Sequence, residues 1–264
     1  MNTFNTFTPT FGFHNIPSPL RLLSLSGPTT LLTLHYSNTA PEILHQLHAL
    51  AQLDPTSCPL PPLRIQQFRD QASATPTNVA LGLRNARTWR IEVPTAAFRG
   101  ASRVFDELAG RRGGCVAGLG IELGGLMPGF VFEVWDFYYN NNYYYYYYYY
   151  YRPHQAWYYF YVYVAFRRLR MEHFAEVLGR GVVVKFFERT GVLGGFEDFE
   201  RVVGYLEQGD FLIRVVAEIF VQVAIGDRGL QDRLWELEIR NAEFGRWVGE
   251  GVRRIGLRRV LRGG

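Results

Sequence analysis

Nineteen of the 30 residues from Phe137 to Phe166 are aromatic, and residues 143–151 are nine consecutive tyrosines. A run of one residue has no period, so it cannot set an apolar face against a polar one. Three asparagines precede it, Asn140 to Asn142. Tyr and Asn codons differ at the first base, so a slipped trinucleotide repeat would give such a tract. Loop closure entropy rises slowly with length, which makes a loop the place where it is tolerated. The sequence therefore places a Tyr-rich loop at 138–156. Tyr143, Tyr147 and Tyr151 stand for the contacts it could make: self-association through cation–π pairs with arginine, stacking on single-stranded nucleic acid, or a membrane interface. If the tract pairs as a strand, both faces are aromatic and prone to aggregation. Alternation in Tyr159–Ala165 continues the flank as a strand or runs into the next helix.

Composition divides the 264 residues near position 95. Eleven of the 13 prolines lie at or before Pro94, and 24 of the 27 glycines lie after Thr95. Residues 1–37 read as a disordered or loosely packed Pro/Thr-rich arm. Residues 38–80 hold one helix and a proline-rich connector. There Thr39-x-x-Glu42 is a capping box, and Ile43, Leu44, Leu47, Leu50 and Ala51 recur at helical spacing. Residues 81–264 form an α+β domain interrupted by the tyrosine loop.

Within that domain the order of elements repeats. Thr88–Val93 alternates as a strand, Thr95 opens a helix, and Cys115–Leu123 and Phe130–Tyr139 follow as strands. Phe166 to Leu178 is helical, with Arg168 and Glu172 as an i,i+4 pair. Val182–Phe187 is an apolar run read as a buried strand. A helix with Phe196, Phe199, Val202, Val203 and Leu206 inward follows. Phe211–Ile225 has every odd position apolar and is rich in β-branched residues, which favours a strand. Leu234–Arg240 pairs with it. Asn241 caps a last helix with Phe244, Trp247, Val248, Val252 and Ile255 inward. The expected fold is α+β, a mixed or antiparallel sheet with helices on one face, built from two βαββα units. An ancient duplication is one hypothesis for it. Such paired units resemble the element order of vicinal-oxygen-chelate proteins, whose strands carry metal-binding His and Glu. The predicted strands here carry no histidine, so no site is transferred.

No motif supplies an active site. Gly118-x-Gly120-x-x-x-Gly124 lacks the following helix that a phosphate-binding turn needs, since Gly125, Pro128 and Gly129 come next. Glu42, His45 and His48 share one helical face, but the partner helices bring no second Glu-x-x-His, so the face reads as solvated. His173 reads as a packed or surface residue. Cys115 opens a buried strand and reads as an inert thiol. Glu133 and Asp136 have opposite parity on a strand and should face opposite sides. No metal or cofactor is expected. The final Leu261-Arg262-Gly263-Gly264 resembles the tail of ubiquitin, where the diglycine carboxylate is joined to lysine. Here an Arg-rich helix precedes it instead of a compact β-grasp domain.

Charge adds a second candidate surface. The chain carries +4 overall, with 27 arginines and one lysine, Lys185. Residues 240–264 hold seven arginines and two glutamates. Arg253, Arg254, Arg258 and Arg259 could therefore contact phosphates. The preferred reading is a non-enzymatic intracellular protein acting through protein–protein contact or self-association. Nucleic-acid binding through the Arg-rich C-terminus is the alternative, and an enzyme with an unrecognised site is the second. Two cysteines favour a reducing compartment and argue against a disulfide scaffold. No stretch has the ~20 apolar residues of a membrane span.

Overall fold

The computed structural model describes residues 29–37, 39–51, 88–111, 119–131, 134, 153–189 and 191–262. It is mostly helical, with one small mixed sheet, and belongs to the α+β class. The sheet has the order β2-β1-β3. Strand β1 (Thr29–His35) lies in the middle. It pairs antiparallel with β2 (Thr88–Pro94), Leu32 opposite Ile91, and parallel with β3 (Leu119–Glu122), Leu32 opposite Leu119. Composition assigned Thr29–His35 to the arm. Its alternation explains the strand instead: Thr30, Leu32 and Leu34 point inward and are buried.

Helix α1 (Ala40–Ala51) follows β1. Its capping box works through Glu42, whose Oε2 accepts from the backbone N of Thr39 at 2.8 Å and from Thr39 Oγ1 at 2.9 Å. After β2, the expected single helix is two, α2 (Thr95–Ala101) and α3 (Arg103–Arg111). Buried Ser102 stands between them. Its Oγ donates to the carbonyl of Leu169 at 2.7 Å and accepts from the N of Phe105 at 3.2 Å. The hydroxyl thus caps α3 and ties it to the centre of the molecule.

That centre is α4 (Pro153–Arg168). Residues Tyr158 to Phe166 are all buried. A helix that is apolar on every side belongs inside a protein. The alternation read in Tyr159–Ala165 carried no information, because the residues between the tyrosines are apolar as well. The helix begins at Pro153, within the stretch expected to be loop. It ends at Leu169–Met171, where Arg170 adopts φ 49°. This break separates the expected Arg168–Glu172 pair. Arg167 pairs with Glu172 instead, and Arg168 reaches Glu207 at 2.6 Å.

The remaining described chain is helical: α5 (Glu172–Leu178), a π-helical turn at Gly179–Val183, α6 (Val184–Arg189), α7 (Phe196–Tyr205), α8 (Phe211–Ala224), α9 (Arg228–Asp232), α10 (Leu234–Arg240) and α11 (Ala242–Arg262). Several expected strands are therefore corrected. In 182–187 the buried residues are Val183, Phe186 and Phe187, a helical spacing. In 211–225 they are Leu212, Ile213, Val216, Ala217, Phe220, Val221 and Ala224. The even positions Leu212, Val216 and Phe220 decide the matter, and Val215, Ile219 and Val223 are only half-buried. Asp210 caps α8 by accepting from the N of Leu212 at 3.0 Å. In 234–240 the buried residue is Leu237, with Trp235 and Ile239 turned to solvent. Residues 129–131 and 134 are helical too, so the strand expected at 130–139 does not form there. That helical turn opens at Gly129, a place where the prolines and glycines were expected to prevent one. The second half thus does not repeat the strands of the first, and the duplicated-unit expectation fails.

Helices α8 and α11 run in the same direction. Gly209 N donates to Glu243 Oε2 at 2.6 Å, Arg214 lies 5.0 Å above the Trp247 ring, and Arg254 pairs with Glu218 at 3.4 Å. A Cβ on Gly251 would lie 3.1 Å from Val221, so glycine sets the close approach. Phe199, Phe220 and Phe244 meet edge to face at 5.0 and 5.6 Å between α7, α8 and α11. Full burial of each such ring contributes about 1.5–3 kcal/mol. Asn241 caps α11 as expected, accepting from the N of Phe244 at 3.2 Å and donating to the carbonyl of Leu206 at 3.2 Å. Phe244 and Val248 are buried as expected, but Val252 is 56% exposed.

Candidate functional site

The densest gathering of polar side chains joins α1, α4, α7 and the turn after β3. Gln46, fully buried, uses its whole amide. Its Nε2 donates to the carbonyl of Gly125 at 2.7 Å and to Tyr205 Oη at 2.7 Å, and its Oε1 accepts from the N of Met127 at 2.7 Å. Tyr205 Oη in turn donates to the Gly125 carbonyl at 3.0 Å. Gly124 holds φ 56°, which lets the turn bring that carbonyl inward. Gly120 therefore serves strand β3 and Gly124 the turn after it, as the sequence suggested, while Gly118 lies outside the described residues.

His45 lies beside this network. Its Nδ1 is 2.6 Å from Tyr161 Oη, and its ring meets Trp157 edge-on at 4.7 Å. Burial, with the nearby charges of Arg201 and His48, lowers the imidazole to a pKa of about 3. Burial also raises the phenols of Tyr161 and Tyr205 above the ordinary tyrosine value. Tyr161 therefore keeps its proton and the imidazole is neutral, and the direction of the bond between them is set by the imidazole tautomer. The face expected to be solvated is divided: His48 is exposed, while His45 and Gln46 pack inward. Arg201 stacks at 5.1 Å over Trp157 and pairs with Asp198 at 3.3 Å.

Chemically, this arrangement braces four segments. A histidine with a pKa near 3 is a weak proton acceptor at neutral pH, and the amide and phenols bond to one another. Spacing alone could not find the cluster, because Gln46, Gly125 and Tyr205 are far apart in sequence. A second cluster joins Tyr163, Arg167 and Asp210 beneath the start of α8. Among the described residues, no group of three or more His, Cys, Asp or Glu could hold a metal ion.

The residues singled out from sequence fall partly inside and partly outside the described residues. Tyr143, Tyr147, Tyr151, Cys58, Cys115, Glu133 and Asp136 lie outside the described residues, as does the terminal diglycine. Arg253 and Arg254 are both exposed on α11. Arg253 Nε donates to the carbonyl of Gly249 at 3.3 Å, and Arg254 pairs with Glu218 at 3.4 Å. Arg258 and Arg259 lie in the helical backbone of α11, with side chains outside the described set. His173 is exposed, its ring 5.6 Å from that of Phe174.

Among the described residues the exposed large apolar side chains are Leu31 at 43% on β1, Ile225 at 51% just after α8, Trp235 at 59% and Ile239 at 76% on α10, and Val252 at 56% on α11. On a strand Trp235, Leu237 and Ile239 would share one face. At helical spacing Leu237 turns to the opposite side, which leaves Trp235 and Ile239 together outside. No helix among the described residues is long and apolar enough to cross a membrane. Comparison with protein-family models, with curated proteins and with solved structures finds no match to this chain.

Proposed function

We propose that this chain is a non-enzymatic intracellular protein that works by protein–protein contact, with self-association as its simplest form. The observation that carries this reading is the set of exposed apolar side chains on the C-terminal helices, Ile225, Trp235, Ile239 and Val252. Of these, Trp235 and Ile239 stand one turn apart on α10 and so share an exposed face, as a contact surface requires. The polar cluster around Gln46 supports the same reading, since its groups are spent on one another. The tyrosines at 143–151 would add to the contact through cation–π pairing.

Native mass spectrometry of the full-length protein, purified without denaturant, tests this. Oligomers carrying no additional ligand mass support self-association. A monomer carrying a tightly held small molecule or metal would favour an enzyme or ligand-binding reading.

Nucleic-acid binding is the second reading. Five arginines and no acidic residue lie between 251 and 264. Arg253 is exposed, and its Nε donates to the backbone carbonyl of Gly249. Binding of this kind would weaken steeply with salt and would fall when Arg253 and Arg254 are replaced by Gln.

A further inference from the structure

We infer that the last turns of α11 form an interfacial anchor that lies on the surface of an anionic lipid bilayer. This goes beyond the protein–protein reading above and does not depend on it. The observation that carries it is a change of polarity along the two sides of one helix. The outward side of α11 is marked by the exposed residues Ala242, Arg246, Gly249 and Arg253. The inward side is marked by buried Phe244, Val248 and Gly251, then by half-buried Ile255. Continued at helical spacing, the outward stripe reaches positions 257 and 260, with 261 beside them, which are Leu257, Val260 and Leu261. The inward stripe reaches Arg258, Arg259 and Arg262. Apolar residues thus follow the side that was wet, and charges follow the side that was packed.

The change comes where the packing partner ends. Gly251 packs on Val221, and α8 stops at Ala224. Both helices rise equally per residue, so α8 ends level with about Arg254 and α11 runs on for about two turns. Charge and pattern together select the occupant. Five arginines and no acidic residue lie between 251 and 264, so the partner is anionic. Arg254 is paired with Glu218 at 3.4 Å, and no acid within that segment offsets the others. A nucleic acid would use the arginines and leave the apolar stripe in water. An anionic bilayer takes both, since phosphate headgroups meet arginine while the apolar side enters the acyl boundary. No helix among the described residues is long and apolar enough to cross the membrane, so the contact is with its surface.

Co-sedimentation of the full-length chain with phosphatidylcholine vesicles, with and without about one part in three of phosphatidylserine, tests the assignment. The expected result is binding about tenfold or more tighter to the anionic vesicles, weakened by salt. Leu257→Ser with Val260→Ser, and Arg258→Gln with Arg259→Gln, should each lower that binding about tenfold or more. Far-ultraviolet circular dichroism checks that both double variants keep the fold. An affinity unmoved by the Leu257 and Val260 changes removes the apolar contact and overturns the anchor. Binding to a short DNA duplex but not to anionic vesicles assigns the arginines to nucleic acid and overturns it as well. A parent that ignores anionic vesicles overturns it without any variant, and leaves the protein–protein reading untouched.

Discussion

The phenol of Tyr163 donates a 2.6 Å hydrogen bond to Asp210 Oδ1, the same oxygen that accepts from the N of Leu212 and so caps α8. Arg167 Nε lies 3.2 Å from Asp210 Oδ2, out of line for a hydrogen bond, so it contributes charge rather than direction. Asp210 is nearly fully buried. One carboxylate therefore couples the central helix α4 to the α8–α11 pair.

Replacing Asp210 with Ala should cost about 3 kcal/mol or more. It removes the cap, strands the Tyr163 hydroxyl and leaves Arg167 without its buried counter-charge. Tyr163→Phe loses one bond to a charged acceptor and should cost about 1.5–3 kcal/mol. Urea unfolding of the two variants would show this order, and equal losses would contradict it.

His45 predicts the acid response. Its folded pKa, about 3, lies below the ordinary value of 6.5, so the unfolded chain binds the proton more tightly. Its contribution to stability is complete above pH 6.5 and is lost as pH falls from there towards 3. The urea midpoint of the parent should drop over that window. His45→Asn, which does not titrate, should start lower at pH 7 and show a shallower decline.

Burial raises Tyr161, Tyr163 and Tyr205, and the sign reverses for them. The folded state holds each phenolic proton more tightly than the unfolded state. Stability is thus full below pH 10 and declines as pH rises beyond it. The parent should lose stability between pH 10 and 11. Tyr205→Phe should be weaker at pH 8 yet less sensitive to that rise, as denaturant midpoints at each pH would report.

Gln46→Ala should be among the most damaging single changes in the sheet-proximal half. It leaves the Met127 amide without its side-chain partner, removes one of the two bonds to the Gly125 carbonyl and removes one bond from Tyr205. About 2–4 kcal/mol follows from stranding these buried groups. Gln46→Glu, similar in shape, tests whether shape alone suffices. It places a carboxylate oxygen against the Gly125 carbonyl, an acceptor against an acceptor, and should do no better than Ala.

Gly179→Ala should destabilise despite alanine's better helix propensity. An added Cβ would lie 2.6 Å from Phe211 Cζ and 2.8 Å from Tyr163 Cε2. Both rings are packed, so neither can withdraw freely. Overpacking should outweigh the propensity gain and leave a net loss of about 1–2 kcal/mol. A midpoint equal to the parent's would show that the π-helical turn relaxes to make room.

Local chemistry was legible wherever side chains act on their own backbone. Thr39 with Glu42 and Asn241 ahead of Phe244 marked helix starts, and Thr88–Val93 marked a strand by alternation. The α+β class followed from such segments. Tertiary packing decided the elements that are apolar throughout. In 159–165, 182–187 and 211–225 both periods fit the letters, and only the surrounding helices determine which residues become buried. The same holds for β1, a short alternating segment that becomes a strand by pairing with residues about 60 and 90 positions later in the chain. The contacts of Gln46 with Gly125 and Tyr205, and of Tyr163 with Asp210, arise only after those helices assemble. Leu237 likewise parts from Trp235 and Ile239 only because α10 is a helix; on a strand all three would share one face.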